Sequence, residues 1–273
     1  MGDDQAQFSF STSVGSVIGD APAEGLPVFR ASDDSERLET MTFGGAFRFA
    51  DRLQAGLELP LIRRTRETET ISDEASGLGD IRLVTAYEII PDWSYSSWRP
   101  HGFLFFQLTL PTGPSVYDAS STYLLDARGR GFLAPAVGAA FTKLIGNWDF
   151  LFSSEIHHSF SRQIDVGGGA STELSPGWGG SAVMGIGYAP GGKALRLGLA
   201  VAPVYEGPIS ASGGLNSLSS AQLVWNTSLA LGYAINSVWS AGVIYTDQTW
   251  LGPVENVSLS RTIAMNLQKR WEL

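Results

Sequence analysis

Met41, Phe43, Gly45, Phe47 and Phe49 alternate with Thr40, Thr42, Gly44, Ala46 and Arg48, so one face of this stretch is apolar and the other small or polar. A period of two is that of a β-strand, whose successive side chains point to opposite faces. After a turn at 50–51 the pattern repeats, with Leu53, Ala55, Leu57, Leu59 and Leu61 set against Arg52, Gln54, Gly56 and Glu58. The 3.6 period of an amphipathic helix is almost absent. Twelve alternating stretches, each roughly 10 to 14 residues long, begin near Phe8, Thr40, Arg52, Gly79, His101, Arg130, Asn147, Trp178, Ala194, Ala221, Val238 and Val257. Ten and fourteen are the neighbouring counts.

The connections alternate in length. Short ones fall at 50–51, 145–146, 190–193 and 236–237, with a longer PDWSYSSWRP after the fourth strand. Long polar ones fall at 19–39, 63–76, 113–127, 161–175, 207–220 and 251–256. Soluble sandwiches also alternate apolar and polar residues, so three further features decide the class. The strands exceed the globular mode of about 5 to 6 residues and suit a tilted membrane crossing. The rhythm of short and long connections is that of outer-membrane barrels, with tight periplasmic turns and longer extracellular loops. Aromatics also collect near the short turns, at Tyr87, Trp93, Tyr95, Trp98, Trp148, Tyr188, Tyr233, Trp239 and Trp271, as an interfacial girdle does. The expected fold is all-β: a closed antiparallel transmembrane barrel of about twelve strands, forming a single domain over residues 1–273. An even strand number puts both termini at the periplasmic end.

Charge sharpens this sidedness. All three lysines, Lys143, Lys193 and Lys269, lie at the short-turn end. The first long loop carries Asp20, Glu24, Asp33, Asp34, Glu36 and Glu39 against only Arg30 and Arg37. A net charge of −9 with no basic patch argues against nucleic acid, whose phosphates need a cationic face. The absence of cysteine removes disulfides, thiolate catalysis and zinc fingers together. No apolar run approaches the roughly 20 residues of a membrane-spanning helix, and no basic, apolar leader opens the chain. For an exported protein, the opening MGDD reads as a processed terminus with an added methionine.

If the apolar parity faces lipid, the other parity lines the interior. That set contains Arg48, Arg52, Glu58, Asp80, Arg82, Glu88, Gln107, Arg128, Arg130, Asp149, Glu155, His157, Arg196, Gln222, Asn226, Asn266 and Arg270. Phe103, Phe105 and Phe132 share it, which makes part of the wall apolar. Charges of lipid parity are few: Glu39, Arg63, Asp247, Arg261 and Lys269, all near strand ends, where their cost falls to roughly 0 to 1 kcal/mol. Two readings of the inward charges stand side by side. They neutralise one another as a structural plug, or they form a constriction whose transverse field orients and filters solutes. Interior arginines suit anionic or aromatic solutes, since a guanidinium grips carboxylates in a fork and stacks on rings. Twelve strands lie between the filled eight-strand barrel and the water-filled sixteen-strand one, so the pore is expected to be narrow or partly plugged.

The segment SGLGDIRLVTAYEI at 76–89, followed by FFQLTLPTG at 105–113, resembles the signature of the bacterial outer-membrane family named after the meta-pathway of phenol degradation. The likeness covers roughly 76–113, with the remainder matching in rhythm and strand count. It implies a channel for small, hydrophobic or aromatic compounds. Physically, Gly77 and Gly79 permit a tight start to a strand, with Asp80 turned inward opposite Arg82. Pro111 and Gly113 end the next strand at the outer rim, since proline cannot donate to a ladder. Outer-membrane barrels usually end in Phe. This chain ends WEL, with Trp271 and Leu273 on the apolar parity that fits an assembly signal.

One stretch invites a different chemistry. NWDFLFSSEIHHSF, at 147–160, holds Glu155, His157, His158 and Ser159 in a chain with three histidines. Outer-membrane lipid hydrolases place a His and a Ser two residues apart on one strand, and Glu155 could orient the imidazole of His157 toward Ser159. The parity cuts against that. Trp148, Phe150, Phe152, Ile156 and Phe160 form the lipid face, so Glu155, His157 and Ser159 point into the lumen, away from a lipid substrate, and only His158 faces out. A structural or adhesive barrel with binding loops is the remaining alternative. Three histidines, two of them adjacent on opposite faces, supply no metal shell. GIGYAPGG lacks the strand, loop and helix context of a phosphate cradle.

The sequence therefore predicts a non-enzymatic outer-membrane channel in contact with membrane lipid, without cofactor or metal, passing small aromatic, hydrophobic or anionic solutes by passive or facilitated diffusion. Its constriction is expected from Arg48, Arg82, Arg128, Arg130, Arg196, Glu58, Glu88, Glu155 and His157, with Arg52 and Asp80 also in the lining. His157, the one interior charge that titrates near neutral pH, is where pH-dependent conductance is expected. The solute and the oligomeric state are not legible.

Overall fold

The computed structural model describes residues 4–31, 34–70, 72–91, 96, 98–121, 123–165, 170–192, 194–214 and 217–272. Asp33, Trp93, Tyr95, Lys193 and Leu273 lie outside the described residues. Twelve antiparallel strands form the wall: β1 (Asp4–Ala21), β2 (Ser35–Ala50), β3 (Leu53–Glu67), β4 (Ile81–Ile90), β5 (His101–Leu110) and β6 (Ala134–Ile145), then β7 (Trp148–His158), β8 (Trp178–Tyr188), β9 (Leu195–Glu206), β10 (Gln222–Ala234), β11 (Trp239–Asp247) and β12 (Val257–Glu272). Each pairs with its sequence neighbours, and β12 pairs with β1 from Asp4↔Glu272 to Ala21↔Val257, so the sheet has no free edge. Closure matters because an open edge would leave a row of unpaired N–H and C=O groups.

The alternation fixes which side faces out. Phe43, Phe47, Leu57, Leu83, Leu104, Phe106, Phe150, Phe152, Ile156, Leu199, Leu231 and Met265 are large, apolar and exposed on the outer surface. The buried apolar side chains are few, and Leu125, Ala127 and Phe132 belong to a loop rather than to a wall strand. Apolar outside and polar inside is the reverse of a soluble domain.

The outward-parity charges are neutralised in pairs or against rings. Glu39 and Arg63 are register partners of β2 and β3 and meet at 3.5 Å. Asp247 and Arg261 are register partners of β11 and β12 and meet at 2.8 Å. Lys269 Nζ lies 5.3 Å from the ring centre of Trp239 and 4.6 Å from that of Trp271.

Three corrections concern the long connections. The 63–76 stretch is a paired hairpin instead of a loop: β3 continues to Glu67 and Ser72–Leu78 pairs back along it. Cross-strand ion pairs hold this extension, with Arg63 on Glu74 at 2.6 Å and Arg66 on Asp34 at 2.8 Å. The stretches 161–175 and 207–220 form a second, four-stranded sheet, from Arg162–Asp165, Ser171–Pro176, Ile209–Gly213 and Ser217–Leu218. Finally, β6 begins at Ala134, so Arg128, Arg130 and Phe132 stand on a loop, not on the wall. Arg52 likewise occupies the turn before β3.

Candidate functional site

Residues 111–133 leave the end of β5 and turn into the barrel. The Arg128 and Gly129 N–H groups both donate to the Pro114 carbonyl, at 2.7 and 2.9 Å, which closes residues 114–128 into a compact Ω-like loop. Leu125 and Ser115 are fully buried within it. Its carboxylates are tied locally. Asp126 accepts from Ser120 N–H at 2.7 Å and from Ser121 Oγ at 2.8 Å. These donors hold its carboxyl well below the usual range, the Ser120 backbone N–H contributing most. Asp118 is lowered too, by the Ser115 hydroxyl first and by the Arg162 guanidinium, which reaches it from the outer sheet at 2.8 Å.

Asp80 latches this loop to the wall. It sits at the break between Ser72–Leu78 and β4, and Gly79 N–H donates to Pro60 O at 2.8 Å to hold the break against β3. Its carboxylate accepts from Gly113 N–H at 3.0 Å and from Arg130 N–H at 2.6 Å. The inward turn expected of Asp80 is present, but no ion pair with Arg82 is: its oxygens take the loop's backbone, and Arg82 lies instead 3.6 Å from its register partner Glu58. A GLGD at a strand start is thus an anchoring point for the loop that follows the next strand.

Beneath the loop lies a cavity of about 760 Å³. Polar groups reach it from Glu36, Arg64, Asp80, Arg82, Arg128, Arg130, Glu155, His157 and Glu206, and apolar ones from Val17, Leu38, Ile62, Val116 and Val204. The structure brings the predicted Glu155, His157 and Arg130 together and adds Glu206. His157 Nε2 lies 3.0 Å from Glu206 Oε2 and 3.0 Å from Arg130 Nη1, its Nδ1 lies 3.7 Å from Glu155, and Arg130 also pairs with Glu206. Gly179 makes room: a Cβ there would meet both His157 Nε2 and the Glu206 carboxylate. Among the described residues the imidazole's partners are Arg130, Glu206 and Glu155, and Ser159 is buried nearby on the same segment.

A second charged layer lies toward the short turns. Glu88 meets His101 at 2.6 Å across β4 and β5, and Arg196 Nε donates to Asp149 at 2.7 Å across β8. Gly187 of β8 lies beneath the latter pair, where any Cβ would strike both groups. Arg48 and Arg52 are half-buried at the same end. Glu36, Arg64, Glu206 and His101 were not among the lining residues expected from the sequence. Arg64 has inward parity with Pro60 and Ile62 but stood inside a stretch assigned to a loop, and Glu206 has the parity of Val204 at the last position before one. Among the described residues no group of three His, Asp or Glu is placed to hold a metal ion.

This architecture has solved counterparts. The chain superposes on an outer membrane channel from Pseudomonas putida F1 with a TM-score of 0.76, over 98% of this chain and 96% of that one, at 14% identity. It also matches the β domain of the Bordetella autotransporter BrkA (TM-score 0.54, 98% and 100% covered, 10% identity). The transport unit of the autotransporter AIDA-I from Escherichia coli follows, with a TM-score of 0.50 over 98% and 90% at 8% identity. No family model and no curated protein sequence matches. The fold is a closed twelve-stranded barrel of the outer-membrane channel type.

Proposed function

We propose that the whole chain is one outer-membrane barrel domain that serves as a channel for small solutes, its short turns and termini periplasmic and its long connections extracellular. One observation carries this reading: the lumen keeps a cavity of about 760 Å³ lined by charges and walled by an apolar outer surface that only lipid can cover. A barrel that served only as a structural anchor would have no need of space inside. The fold alone does not choose between a channel and an autotransporter domain, since both superpose. The chain's own folded loop, latched across the lumen by Asp80, favours small solutes over an exported polypeptide.

The mechanism is diffusion down a gradient past two charged layers. The upper layer sets Arg130 against Glu206 and Glu155, with Arg82 against Glu58 below it. The lower layer sets Arg196 against Asp149 and His101 against Glu88. Opposed charges across a narrow lumen impose a transverse field that orients dipolar and anionic solutes. Apolar patches between them accept hydrocarbon, in keeping with the 76–89 and 105–113 motifs that resemble the phenol meta-pathway family. No catalytic step is assigned. The test is reconstitution in a planar bilayer and in vesicles: discrete current steps and solute entry are expected, and a folded barrel passing neither ions nor solute overturns the reading.

A further inference from the structure

The cavity's arginines are not equivalent. Arg64 is held by Glu36 at 2.7 Å and by the Ala127 carbonyl at 3.1 Å, Arg130 by Glu206, and Arg82 faces Glu58 at 3.6 Å. Arg128 lines the same cavity, yet its guanidinium makes no hydrogen bond or ion pair with the described residues, and its Nε is closed off from solvent without an acceptor. A buried guanidinium nitrogen without an acceptor is an exception among native donors, and the remainder of this group lines the cavity, where a ligand's acceptors can reach it.

We propose that Arg128 anchors a binding site for a monocarboxylate with an apolar body, and that acids of this class are solutes the lumen selects. The proposal rests on the channel reading above and names its solute. Three observations converge. The guanidinium rests against Gly77, where a Cβ would stand 2.7 Å from Nη2 and 2.8 Å from Cζ, so the missing side chain seats one face on the wall and leaves the fork to the cavity. A planar fork matches the two oxygens of a carboxylate. In the same cavity, Val17, Leu38, Ile62, Val116 and Val204 offer hydrocarbon contact that an inorganic anion would not use. The volume, about 760 Å³, lies within the roughly 300 to 1,000 Å³ of small-molecule sites.

The remaining charges explain why the ligand carries one negative charge. Glu36, Asp80, Glu155 and Glu206 already have cationic or N–H partners, so they neither neutralise Arg128 nor welcome a second anionic group. A neutral analogue leaves the guanidinium unanswered, and a dianion sets its second charge beside those carboxylates.

Calorimetry on the whole, detergent-solubilised protein tests this without requiring conduction. Benzoate should bind about tenfold more tightly than the neutral isostere benzamide, and Arg128→Gln should remove that preference. Arg128→Lys, which keeps the charge and loses the fork, should fall between wild type and Arg128→Gln. Circular dichroism of each variant establishes that its barrel is folded. Equal binding of benzoate and benzamide, an Arg128→Gln affinity equal to wild type, or displacement of benzoate by an equal concentration of chloride each overturns the site. In bilayers, benzoate should interrupt the wild-type current and leave the Arg128→Gln current unbroken. A folded protein that binds benzoate and carries no current refutes the channel alone. One that conducts and ignores benzoate refutes the site alone.

Discussion

Asp247 has lipid-facing parity on β11 and is nonetheless fully buried. Four donors cover its two oxygens: Thr249 N–H at 2.7 Å, Thr249 Oγ1 at 2.6 Å, Tyr245 Oη at 3.0 Å and Arg261 Nε at 2.8 Å. A charge can occupy this face because nothing of it is left for lipid to solvate. Asp247→Ala removes the acceptor from all four at once and should cost about 1 to 3 kcal/mol, mostly through Arg261 and Tyr245 left unpaired. Adding Arg261→Leu should recover part of that loss, because an orphaned guanidinium near lipid is worse than a hydrocarbon. Urea unfolding of the protein from lipid vesicles measures both. A double variant no more stable than Asp247→Ala alone would show that the pair does not neutralise itself in this way. The outward parity of Asp247 and Arg261 was visible in the sequence. Their pairing was not, because register between β11 and β12 is a property of two strands rather than of either one.

Among the elements, the inward loop 111–133 departs most from what periodicity could foretell. The strands were legible because each repeats a period of two over nine or more residues, and all twelve expected starts fall within about five residues of the observed ones. Loops carry no such period. Arg128, Arg130 and Phe132 alternate as a strand would, yet Gly131 takes φ 76°, which breaks the ladder before Ala134. Their inward placement was foreseen for the wrong reason: the loop carries them there. Asp80→Ala should release this loop by removing the acceptor of two backbone N–H groups, a loss of roughly 1.5 to 3 kcal/mol for each charge-assisted bond. Trypsin should then cut at Arg128 or Arg130 in the folded barrel, where the wild type resists. Asp126 adds a pH signature. Its carboxyl is depressed, so its contribution is fully present above the ordinary aspartate value of about 3.9 and is lost only as pH falls through the lower folded value. The loop should therefore resist pepsin at pH 4 as it resists trypsin at pH 7, and Asp126→Asn should remove that resistance at both.

For the molecule as a whole, the wall and the plug are separable. Every wall strand is bonded to two wall neighbours and β1–β12 closes the ring, so no pairing of the barrel passes through residues 114–128. The loop's ends already meet, Arg128 N–H on the Pro114 carbonyl at 2.7 Å, so a short Gly-Ser link can replace what lies between them. Such a deletion should leave the barrel folded, with its strand content and its resistance to urea close to wild type. Conductance is the informative quantity. A twelve-stranded ring is wider than the eight-stranded barrel that side chains fill, so with the loop gone the limiting aperture becomes the lower layer of Glu88, His101, Asp149 and Arg196. Single-channel current should rise about severalfold if the loop forms the narrower gate. It should then respond to Arg196→Gln, which leaves Asp149 uncompensated and shifts the zero-current potential toward cation selectivity in a salt gradient. An unchanged current after deletion would place the gate at the lower layer in the intact protein, and Arg196→Gln would then alter selectivity even with the loop in place.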